Sequence, residues 1–317
     1  MIGIIILNYN TWIETKKCVD SIKSHVSIKD TYKIYIVDNC STIQISSRDK
    51  EEYERDEKIA LLFSKENRGY SAGNNIGIKK AMQDGCQYFL ISNSDILIVD
   101  NSIKVMKEYL NDNVNTLIVG PEIYNAENEF QYIYMLKRLD AVGKLKNMML
   151  STPFKVFFRK FEKSFIRKES LKLPIKVFGV SGCCFMISKK GVDLLYPLDE
   201  RTFLYEEEYI IGSIVEKANF DIYVIPNTHV IHAHGVSTGG MTPYTYTCLV
   251  NSEQLYLKEY LNEKKMMCKL LVRIRKLRYL ILCISKKNYR VFYKKFKNLI
   301  KDYQDEVLDF AKQRKKI

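Results

Sequence analysis

The sequence lacks the features of a disordered, disulfide-rich or membrane-spanning protein. Its 317 residues include only 14 Gly and 6 Pro, without low-complexity tracts or repeats, which favours a globular chain. The 8 Cys form no CxxC pair and no closely spaced framework, so we expect reduced thiols. No uncharged apolar run reaches about 18 residues, and the run at residues 4–7 lacks the basic flank of a signal peptide. We therefore predict a cytoplasmic protein, free or peripheral on the cytosolic face of a membrane.

Positive charge is concentrated in one part of the sequence. The chain has a net charge of +13. Residues 258–317 hold 19 Lys and Arg against 6 Asp and Glu, whereas the other 257 residues hold 31 of each sign. A high pI with aromatic residues among Lys and Arg is typical of a nucleic-acid-binding protein. The neutral remainder of the chain argues against that class, because the basicity belongs to the tail alone.

Four short apolar runs alternate with helical patterns in the first third of the chain. The runs occupy residues 3–7, 33–37, 59–63 and 88–92, and apolar residues recur at helical spacing in Trp12–His25 and in residues 71–82. Such an alternation is typical of buried parallel strands joined by helices. We predict an α/β fold with a doubly wound, mostly parallel sheet and a ligand site at the carboxyl ends of its strands.

Polar residues follow each of the four predicted strands. Because the carboxyl ends of parallel strands meet at one edge of a sheet, we expect these side chains to converge. The clusters are Asn8-Tyr9-Asn10, Asp38-Asn39-Cys40-Ser41, Glu66-Asn67-Arg68-Gly69 and Asn93-Ser94-Asp95.

These clusters carry groups that suit a nucleotide diphosphate and a metal ion. Asp38 can accept the imide N–H of a pyrimidine, and Asn8 or Asn10 can bind ribose or base edges. The Gly-spaced residues 67–77 lead into a helix whose amino terminus favours a diphosphate. Asp95 offers a hard carboxylate to Mg²⁺ or Mn²⁺ shared with phosphate oxygens. An Asx-turn at Asp38 and a polar strand end at Asp95 are the alternatives, and the residues alone leave both open.

Two further clusters could complete such a site. Glu206, Glu207 and Glu208 follow aromatic residues and could supply a general base, or they could form a solvated helix start. His229, His232 and His234 lie close together, and on a strand the last two face one way and His229 the other. Imidazole beside an Asp is an acceptable Mn²⁺ ligand, although a packed core histidine is the alternative.

In ordered combination these motifs resemble glycosyltransferase family 2, the inverting transferases with a GT-A fold. The resemblance covers about residues 1–240 and is greatest for the rhamnosyltransferase-like branch that builds bacterial surface polysaccharides. It is carried by Asn8-Tyr9-Asn10, Val37 to Ser41, Asn67-Arg68-Gly69-Tyr70, Gly73-Asn74-Asn75-Ile76-Gly77, Asn93-Ser94-Asp95, Val180-Ser181-Gly182, Leu198 to Glu208, and His232 with Gly235.

The resemblance implies a role for each motif. Asp95 would be the metal ligand in a stand-in for the family's Asp-x-Asp, and His232, or else His234, would complete the shell around Mg²⁺ or Mn²⁺. The family's acidic pair falls on Glu207 and Glu208; many members have Glu-Asp there, and we favour Glu208 as the base. Gly182 would lie on the acceptor side. The donor-binding residues would be Asn8, Tyr9, Asn10, Asp38, Asn67, Arg68, Gly69, Asn75, Asn93 and Ser94.

The implied function is inverting transfer of rhamnose or another hexose from a UDP- or dTDP-sugar. The acceptor would be a glycan or a polyprenyl-diphosphate-linked sugar in capsule or O-antigen-type synthesis, on the cytosolic face of the inner membrane. A sugar-1-phosphate nucleotidyltransferase is the rival enzyme. It would need a basic, Gly-rich loop after the first strand, where this chain has Asn8-Tyr9-Asn10.

The domain organisation follows from these patterns. We predict a catalytic domain over residues 1–250, with a nucleotide-sugar half at 1–120 and an acceptor half at 121–250 that contains a basic insertion at 137–176. Residues 251–317 form a basic helical tail. Its apolar residues recur at helical spacing among Lys and Arg, which favours binding to an anionic membrane, with a packed helix as the alternative. We expect no nucleic-acid partner, and a homo-oligomer stays open.

Overall fold

The computed structural model describes residues 1–26, 31–131, 134–150, 173–233 and 241–314, with the backbone alone at 149, 150, 227 and 301–314. The chain forms two compact units. One comprises Met1–Arg138, Phe161–Glu200 and Glu207–Ser237, and the other Leu139–Lys160, Arg201–Glu206 and Thr238–Ile317. The predicted boundary at residue 250 stays a prediction. Most of the predicted insertion, at 151–172, lies outside the described residues.

The described residues form nine strands and ten α-helices. The strands are β1 (Ile2–Asn8), β2 (Tyr32–Asp38), β3 (Ile59–Phe63), β4 (Tyr88–Asn93), β5 (Ile96–Ile98), β6 (Thr116–Tyr124), β7 (Ile175–Val177), β8 (Cys184–Ser188) and β9 (Asp221–His232). The helices are α1 (Trp12–His25), α2 (Ser47–Arg55), α3 (Tyr70–Gln83), α4 (Ser102–Asp112), α5 (Ala141–Leu150), α6 (Lys189–Leu195), α7 (Glu207–Lys217), α8 (Pro243–Leu255), α9 (Lys265–Ser285) and α10 (Lys287–Arg314).

The first unit is built on a mixed sheet with the strand order β3-β2-β1-β4-β8-β6-β9-β5, and β7 pairs with β9. The four strands predicted from the sequence are β1 to β4. They pair in parallel, because each is joined to the next through a helix on the sheet face. β8 runs antiparallel to both β4 and β6, which makes the second half mixed. The predicted α/β fold is confirmed, and its parallel part is the half that carries the polar strand ends.

Strand register brings those ends together. In β1, Asn8 is level with Asp38 of β2, and Leu7 is level with Asn93 of β4. Ile96, directly after Asp95, pairs with His232 of β9. The interior of β1 is fully buried, as expected for a strand covered on both faces. The buried core therefore fixes where the polar ends lie.

Helix α3 packs closely on the sheet because it carries glycines where larger residues would collide. An added Cβ would lie 2.4 Å from Leu7 Cδ1 at Gly73 and 2.5 Å from Ile5 Cγ2 at Gly77. Gly69 precedes the helix with φ 95°, a backbone conformation that favours glycine. The Gly spacing thus serves backbone conformation and close packing, and it brings the amino terminus of α3 to the sheet edge.

The second unit is helical and has its own core of aromatic residues. Tyr279 stacks on Phe296 with ring centroids 3.8 Å apart, and Tyr246 and Tyr289 pack around them. Arg275 forms a buried, bidentate ion pair with Glu253, at 2.6 and 2.9 Å. The described part of the tail is therefore folded rather than extended. No helix in the described ranges is long and apolar enough to cross a membrane.

Replacing Gly77 with Ala should destabilise the first unit by about 1–3 kcal/mol, because the added methyl group meets the side chain of buried Ile5. Gly to Ala inside a helix ordinarily stabilises by up to about 1 kcal/mol, so the expected sign is reversed. Urea unfolding followed by circular dichroism measures the change. Lys79→Ala, on the exposed face of the same helix, is the control and should change stability little. An unchanged or raised midpoint for Gly77→Ala would contradict the close packing of α3.

Candidate active site

The side-chain amide of Asn8 lies at the centre of a buried polar network. Its Nδ2 donates to Asp38 Oδ1 at 2.7 Å and to Ser41 Oγ at 3.2 Å. Its Oδ1 accepts from the backbone N–H of Thr11 and from the hydroxyls of Thr11 and Thr15. Asn8 is fully buried and all of these bonds are internal. We therefore revise its expected role from direct contact with a donor to positioning of Asp38.

Asp38 is held with both carboxylate oxygens engaged. Oδ1 accepts from Asn8 and, at 2.5 Å, from the hydroxyl of Ser41, while Oδ2 accepts from the Ser41 backbone N–H at 3.2 Å. Asp38 thus makes a local bond to the backbone, but three residues on rather than the two of the Asx-turn weighed as its alternative. Each carboxylate oxygen has more than one lone pair, so this bond fixes the orientation of Asp38 and still leaves it able to accept a further hydrogen bond.

The two residues after Asn8 have different environments: Asn10 is bonded to the neighbouring loop, and Tyr9 is exposed. Asn10 has φ 60°, and its Oδ1 accepts from the backbone N–H groups of Thr42 and Ile43. That oxygen ties the β1 loop to the β2 loop, and the contact of half-buried Asn10 with a donor stays a prediction. Tyr9 has an exposed ring, the most accessible side chain of this tripeptide.

The loop before α3 is held by paired asparagines. Asn39 Nδ2 donates to Asn67 Oδ1 at 3.0 Å and to the carbonyl oxygen of Gly69 at 3.1 Å. Asn67 Oδ1 also accepts from the backbone N–H of Gly69. These bonds fix the entry into α3 and join the loops that follow β2 and β3.

Asn75 and Arg68 both bind the segment before the acidic cluster. Asn75 Nδ2 donates to the Leu198 carbonyl oxygen and to Glu200 Oε1, and its Oδ1 accepts from the Leu198 N–H. Exposed Arg68 forms an ion pair with Glu200 Oε2 at 3.0 Å. Asn75 is buried and internally bonded, so its expected donor contact becomes a positioning role, whereas Arg68 has an exposed guanidinium.

The segment after β4 brings a buried carboxylate to the same network. Ser94 Oγ lies 2.7 Å from Thr11 Oγ1, which links Ser94 through Thr11 to Asn8 and Asp38. Asp95 is buried, and its Oδ1 has no hydrogen bond among the described residues. The side chain of Asn93 is half-buried beside them in sequence.

Asp95 and His232 meet as the resemblance predicts. His232 Nε2 lies 3.5 Å from Asp95 Oδ1, since β5 and β9 pair at Ile96 and His232. Burial lowers the pKa of His232, but interactions with Asp95 and Cys183 outweigh it and raise the pKa to about 10. The pair offers a buried carboxylate oxygen and an imidazole nitrogen, and these donors fit Mg²⁺ or Mn²⁺ when the imidazole gives up its proton.

The other histidines separate as strand alternation predicts. His229 faces away from His232 and lies 3.3 Å from Asp100 Oδ2, with its ring edge against Tyr124. His234 lies outside the described residues, so its expected alternative role as metal ligand stays a prediction. Within the described ranges no group of three His, Cys, Asp or Glu side chains could hold a metal ion.

Two glutamates of the acidic cluster, Glu207 and Glu208, begin helix α7 and differ in burial. Glu207 is buried, whereas Glu208 is half-buried, and both lie in the first turn, where the helix dipole favours negative charge. The backbone N–H of Gly182 donates to Glu208 Oε1 at 3.2 Å. A side chain at position 182 would place its Cβ 2.9 Å from that oxygen. Gly182 therefore leaves room for the Glu208 carboxylate and orients it.

Tyr70 is a residue of this site that sequence reasoning left without a role. Its hydroxyl donates to the carbonyl oxygen of Gly182 at 2.5 Å. Burial, together with Glu208 and Glu207, holds the pKa of Tyr70 well above 10, so the hydroxyl stays a donor. Tyr70 thus holds the carbonyl side of Gly182, the residue whose N–H reaches Glu208. Its place in Asn67-Arg68-Gly69-Tyr70 was the available signal, but a contact across 112 residues cannot be found from spacing.

A cavity of about 710 Å³ lies away from these residues, near the beginning of β9. Its charged lining includes two internal ion pairs, Arg138 with Glu216 and Lys176 with Asp221. None of the predicted site residues lines it. Its size alone does not make it the better candidate, because its charges already neutralise one another.

Comparisons with known proteins agree with this geometry. The model of glycosyl transferase family 2 matches residues 3–195. The dTDP-rhamnosyl transferase RfbF of Shigella flexneri is 23% identical over 236 residues, 73% of this chain and 68% of that protein. The low-salt glycan biosynthesis hexosyltransferase Agl10 of Haloferax volcanii is 24% identical over 263 residues, 81% of this chain and 72% of that protein.

The fold also resembles solved glycosyltransferase structures. A crystal structure of GalNAc-T7 with UDP, GalNAc and Mn²⁺ superposes with a TM-score of 0.61 at 16% identity, over 82% of this chain and 49% of that one. This chain therefore spans about half the length of GalNAc-T7. Together with the family match over residues 3–195, these findings establish that the chain belongs to glycosyl transferase family 2, as a glycosyltransferase similar to its rhamnosyltransferase-like branch.

Proposed function

We propose that this enzyme transfers rhamnose or another hexose, with inversion, from a UDP- or dTDP-sugar. One observation carries the proposal: a continuous hydrogen-bonded network runs from Asp38 through Asn8 and Thr11 to Ser94, next to Asp95. It joins Asp38, a carboxylate suited to a pyrimidine base, to the residue directly before Asp95, a carboxylate suited to a metal-bound diphosphate. RfbF is named a dTDP-rhamnosyl transferase, and GalNAc-T7 was crystallised with UDP, which supports a pyrimidine nucleotide.

The donor would lie along the edge formed by β1, β2 and β4. Asp38 accepts the imide N–H of the pyrimidine, while the exposed ring of Tyr9 stacks against the base. Arg68 and the amino terminus of α3, opened by Gly69, favour the negative charge of the diphosphate. Asn93 is the half-buried group that can reach the ribose. Asn8, Asn67, Asn75 and Ser94 hold these groups in place through internal bonds.

Asp95 and His232 would hold Mg²⁺ or Mn²⁺, which when bound neutralises charge on the leaving diphosphate. The GalNAc-T7 structure contains Mn²⁺, which supports a divalent cation in a fold of this kind. Asp95 is buried, and its Oδ1 makes no hydrogen bond by geometry among the described residues but lies 3.5 Å from His232 Nε2, the side chain with which it would share the cation.

Glu208 would act as the general base. Its carboxylate is oriented by the Gly182 N–H and is more accessible than that of Glu207. Glu208 takes the proton of an acceptor hydroxyl, and the oxygen forms a bond to the anomeric carbon as the bond to the diphosphate oxygen breaks. Attack from the face opposite the diphosphate inverts the configuration. The nucleoside diphosphate leaves with the bonding electron pair, so no second carboxylate is needed to protonate it.

The acceptor would be a glycan or a polyprenyl-diphosphate-linked sugar. We propose that residues 121–250, with Gly182, form the acceptor half of a catalytic domain that ends near residue 250. The similarity to RfbF supports a place in bacterial surface-polysaccharide synthesis, of the capsule or O-antigen type, at the cytosolic face of the inner membrane. Membrane association is proposed as peripheral, because the tail is basic and helical.

Replacing Asp95 with Asn should lower metal-dependent donor hydrolysis or transfer by about 100-fold or more, because the neutral amide binds Mn²⁺ poorly. Thermal-shift screening of UDP-, dTDP- and GDP-sugars with Mn²⁺ measures which donor the wild-type protein prefers. The rise in melting temperature caused by donor and Mn²⁺ together should be smaller in the Asp95→Asn variant. Asp100→Asn, which alters the carboxylate beside His229, is the matched control. Wild-type activity that persists in EDTA would contradict the metal role.

Glu208→Gln should preserve donor binding and lower turnover by about 10²–10⁴-fold, since the amide cannot take the proton from the hydroxyl group of the acceptor substrate. Isothermal titration with the donor and a coupled assay of nucleoside-diphosphate release separate the two effects. Glu207→Gln is the neighbouring control and should retain more turnover. If Glu207→Gln abolishes turnover while Glu208→Gln does not, the base lies one residue earlier in the chain.

Tyr70→Phe should lower kcat by about tenfold without changing the donor KM, because it removes the bond to the carbonyl oxygen of Gly182. Since the N–H of the same residue orients Glu208, the pH profile of kcat should also move. Tyr88→Phe, which removes a hydroxyl 3.4 Å from exposed Asn111, serves as the control. A Tyr70→Phe enzyme with unchanged kcat and pH profile would leave Tyr70 without a positioning role.

A further inference from the structure

Helix α9 has two apolar faces, and the helical unit covers only one of them. Its inward face, which includes Leu271, Val272 and Tyr279, is buried in or beside the aromatic core. Apolar side chains on the opposite face remain exposed, up to 74% at its first turn and 79% at its last. We call this set the outer stripe; it consists of Met266, Leu270, Leu277, Ile281 and Ile284.

The spacing of the outer stripe makes it a single surface. Its members follow one another at intervals of 4, 7, 4 and 3 residues, which place side chains on one side of an α-helix. Leu280 is also exposed at its border. A helix that presents apolar residues on both sides is ordinarily covered on both sides. A contiguous apolar strip of this length is therefore an interaction surface.

The charge around the stripe restricts the partner. Residues 264–301 contain 14 Lys and Arg and no Asp or Glu. Lys269, Arg273 and Lys276 recur at helical spacing along one border of the stripe. Arg275, which faces the core, pairs with Glu253 and is not available to a partner. A partner that matches this surface must offer apolar atoms and a dense negative charge beside them.

We propose that the outer stripe docks on an anionic lipid bilayer, with α9 parallel to the membrane plane. The apolar side chains enter the boundary between headgroups and acyl chains, and the Lys and Arg heads reach the lipid phosphates. A nucleic acid would match the charge and leave the stripe in water. A second copy of this chain would cover the stripe but would bring like charges together.

The helix is folded before it binds. The stacking of Tyr279 on Phe296 and the Arg275–Glu253 ion pair fix its inward face within the second unit. Binding therefore needs little additional ordering of the chain, unlike an amphipathic segment that folds only on the membrane. The proposal rests on the peripheral membrane association proposed above and names the surface that makes the contact. It is independent of the base and metal assignments, since it uses none of their residues.

Sedimentation of the full chain with vesicles tests the proposal. Vesicles of phosphatidylcholine with about a third phosphatidylglycerol should bind the protein, and vesicles of phosphatidylcholine alone should bind it far less. The triple variant Leu277→Gln, Ile281→Gln, Ile284→Gln should lose at least about tenfold in partitioning, because it removes the apolar contact. The triple variant Lys269→Gln, Arg273→Gln, Lys276→Gln should lose about a hundredfold on anionic vesicles.

The controls separate docking from folding and catalysis. All of the altered side chains are exposed except that of Lys276, which is half-buried, so far-UV circular dichroism and the thermal midpoint should stay unchanged. Val114→Gln, an equally exposed apolar residue of the first unit, should bind vesicles like the wild type. Donor hydrolysis in solution should be the same for both triple variants. Wild-type protein that stays in the supernatant with anionic vesicles would overturn the proposal.

Two further outcomes would assign the stripe to another partner. If the Leu277, Ile281 and Ile284 variant binds vesicles as the wild type does but changes from dimer to monomer in light scattering, the stripe is a contact between copies. If duplex DNA competes fully for the wild type and the apolar variant binds that DNA equally well, the surface is a polyanion site rather than a lipid one.

Discussion

The buried amide of Asn8 is the constraint on which the rest of the site depends. It stands at the end of the central parallel strand, where one oxygen and one nitrogen must satisfy several groups at once. Through those bonds it orients Asp38 on one side and, by way of Thr11, reaches Ser94 on the other. A buried amide left unpaired is costly, so the three strand ends are held in one arrangement. The proposed donor edge is thus held in place by hydrogen bonds among its own buried side chains.

Several polar residues that mark this family in sequence have similar internal roles. Asn75 joins α3 to Leu198 and Glu200, and Asn67 joins Asn39 to the start of α3. The exposed groups, among them Tyr9 and Arg68, project from this framework. Catalysis by preorganised electrostatics requires such a division, because a group that orients charge must itself be held still. Gly182 is held in a similar way beside the acidic cluster: the Tyr70 hydroxyl donates to its carbonyl oxygen, and its own N–H donates to Glu208.

The helical unit follows different rules. Its core is aromatic and compact, and the unit contains two buried ion pairs, Arg275 with Glu253 and Lys144 with Glu206. Around that core the chain carries unbalanced positive charge, which repels itself unless an anionic partner is near. The outer stripe of α9 lies within this charged surface. Stability and partner binding are therefore assigned to opposite faces of one helix.

The sequence by itself determined the parts of the protein that depend on local periodicity. Alternating apolar runs and helical spacing predicted β1 to β4, the α/β class and the edge at which Asp38 and Asp95 lie. Strand alternation also separated His229 from His232. These features need only the chain's immediate neighbours, so they are readable from one segment at a time.

Only the tertiary structure decided which groups meet and which are covered. The 3.5 Å approach of His232 to Asp95, which follows from the pairing of β5 with β9, joins residues distant in sequence. The bond from Gly182 to Glu208, in the first turn of α7, does the same, and no local pattern encodes either contact. Leu270 and Leu271 are alike in type and adjacent in α9, yet Leu271 is buried and Leu270 is exposed. Periodicity predicted an apolar helix, but which of its faces is covered depends on the helices that pack against it, because burial is a property of neighbours and not of the residue itself.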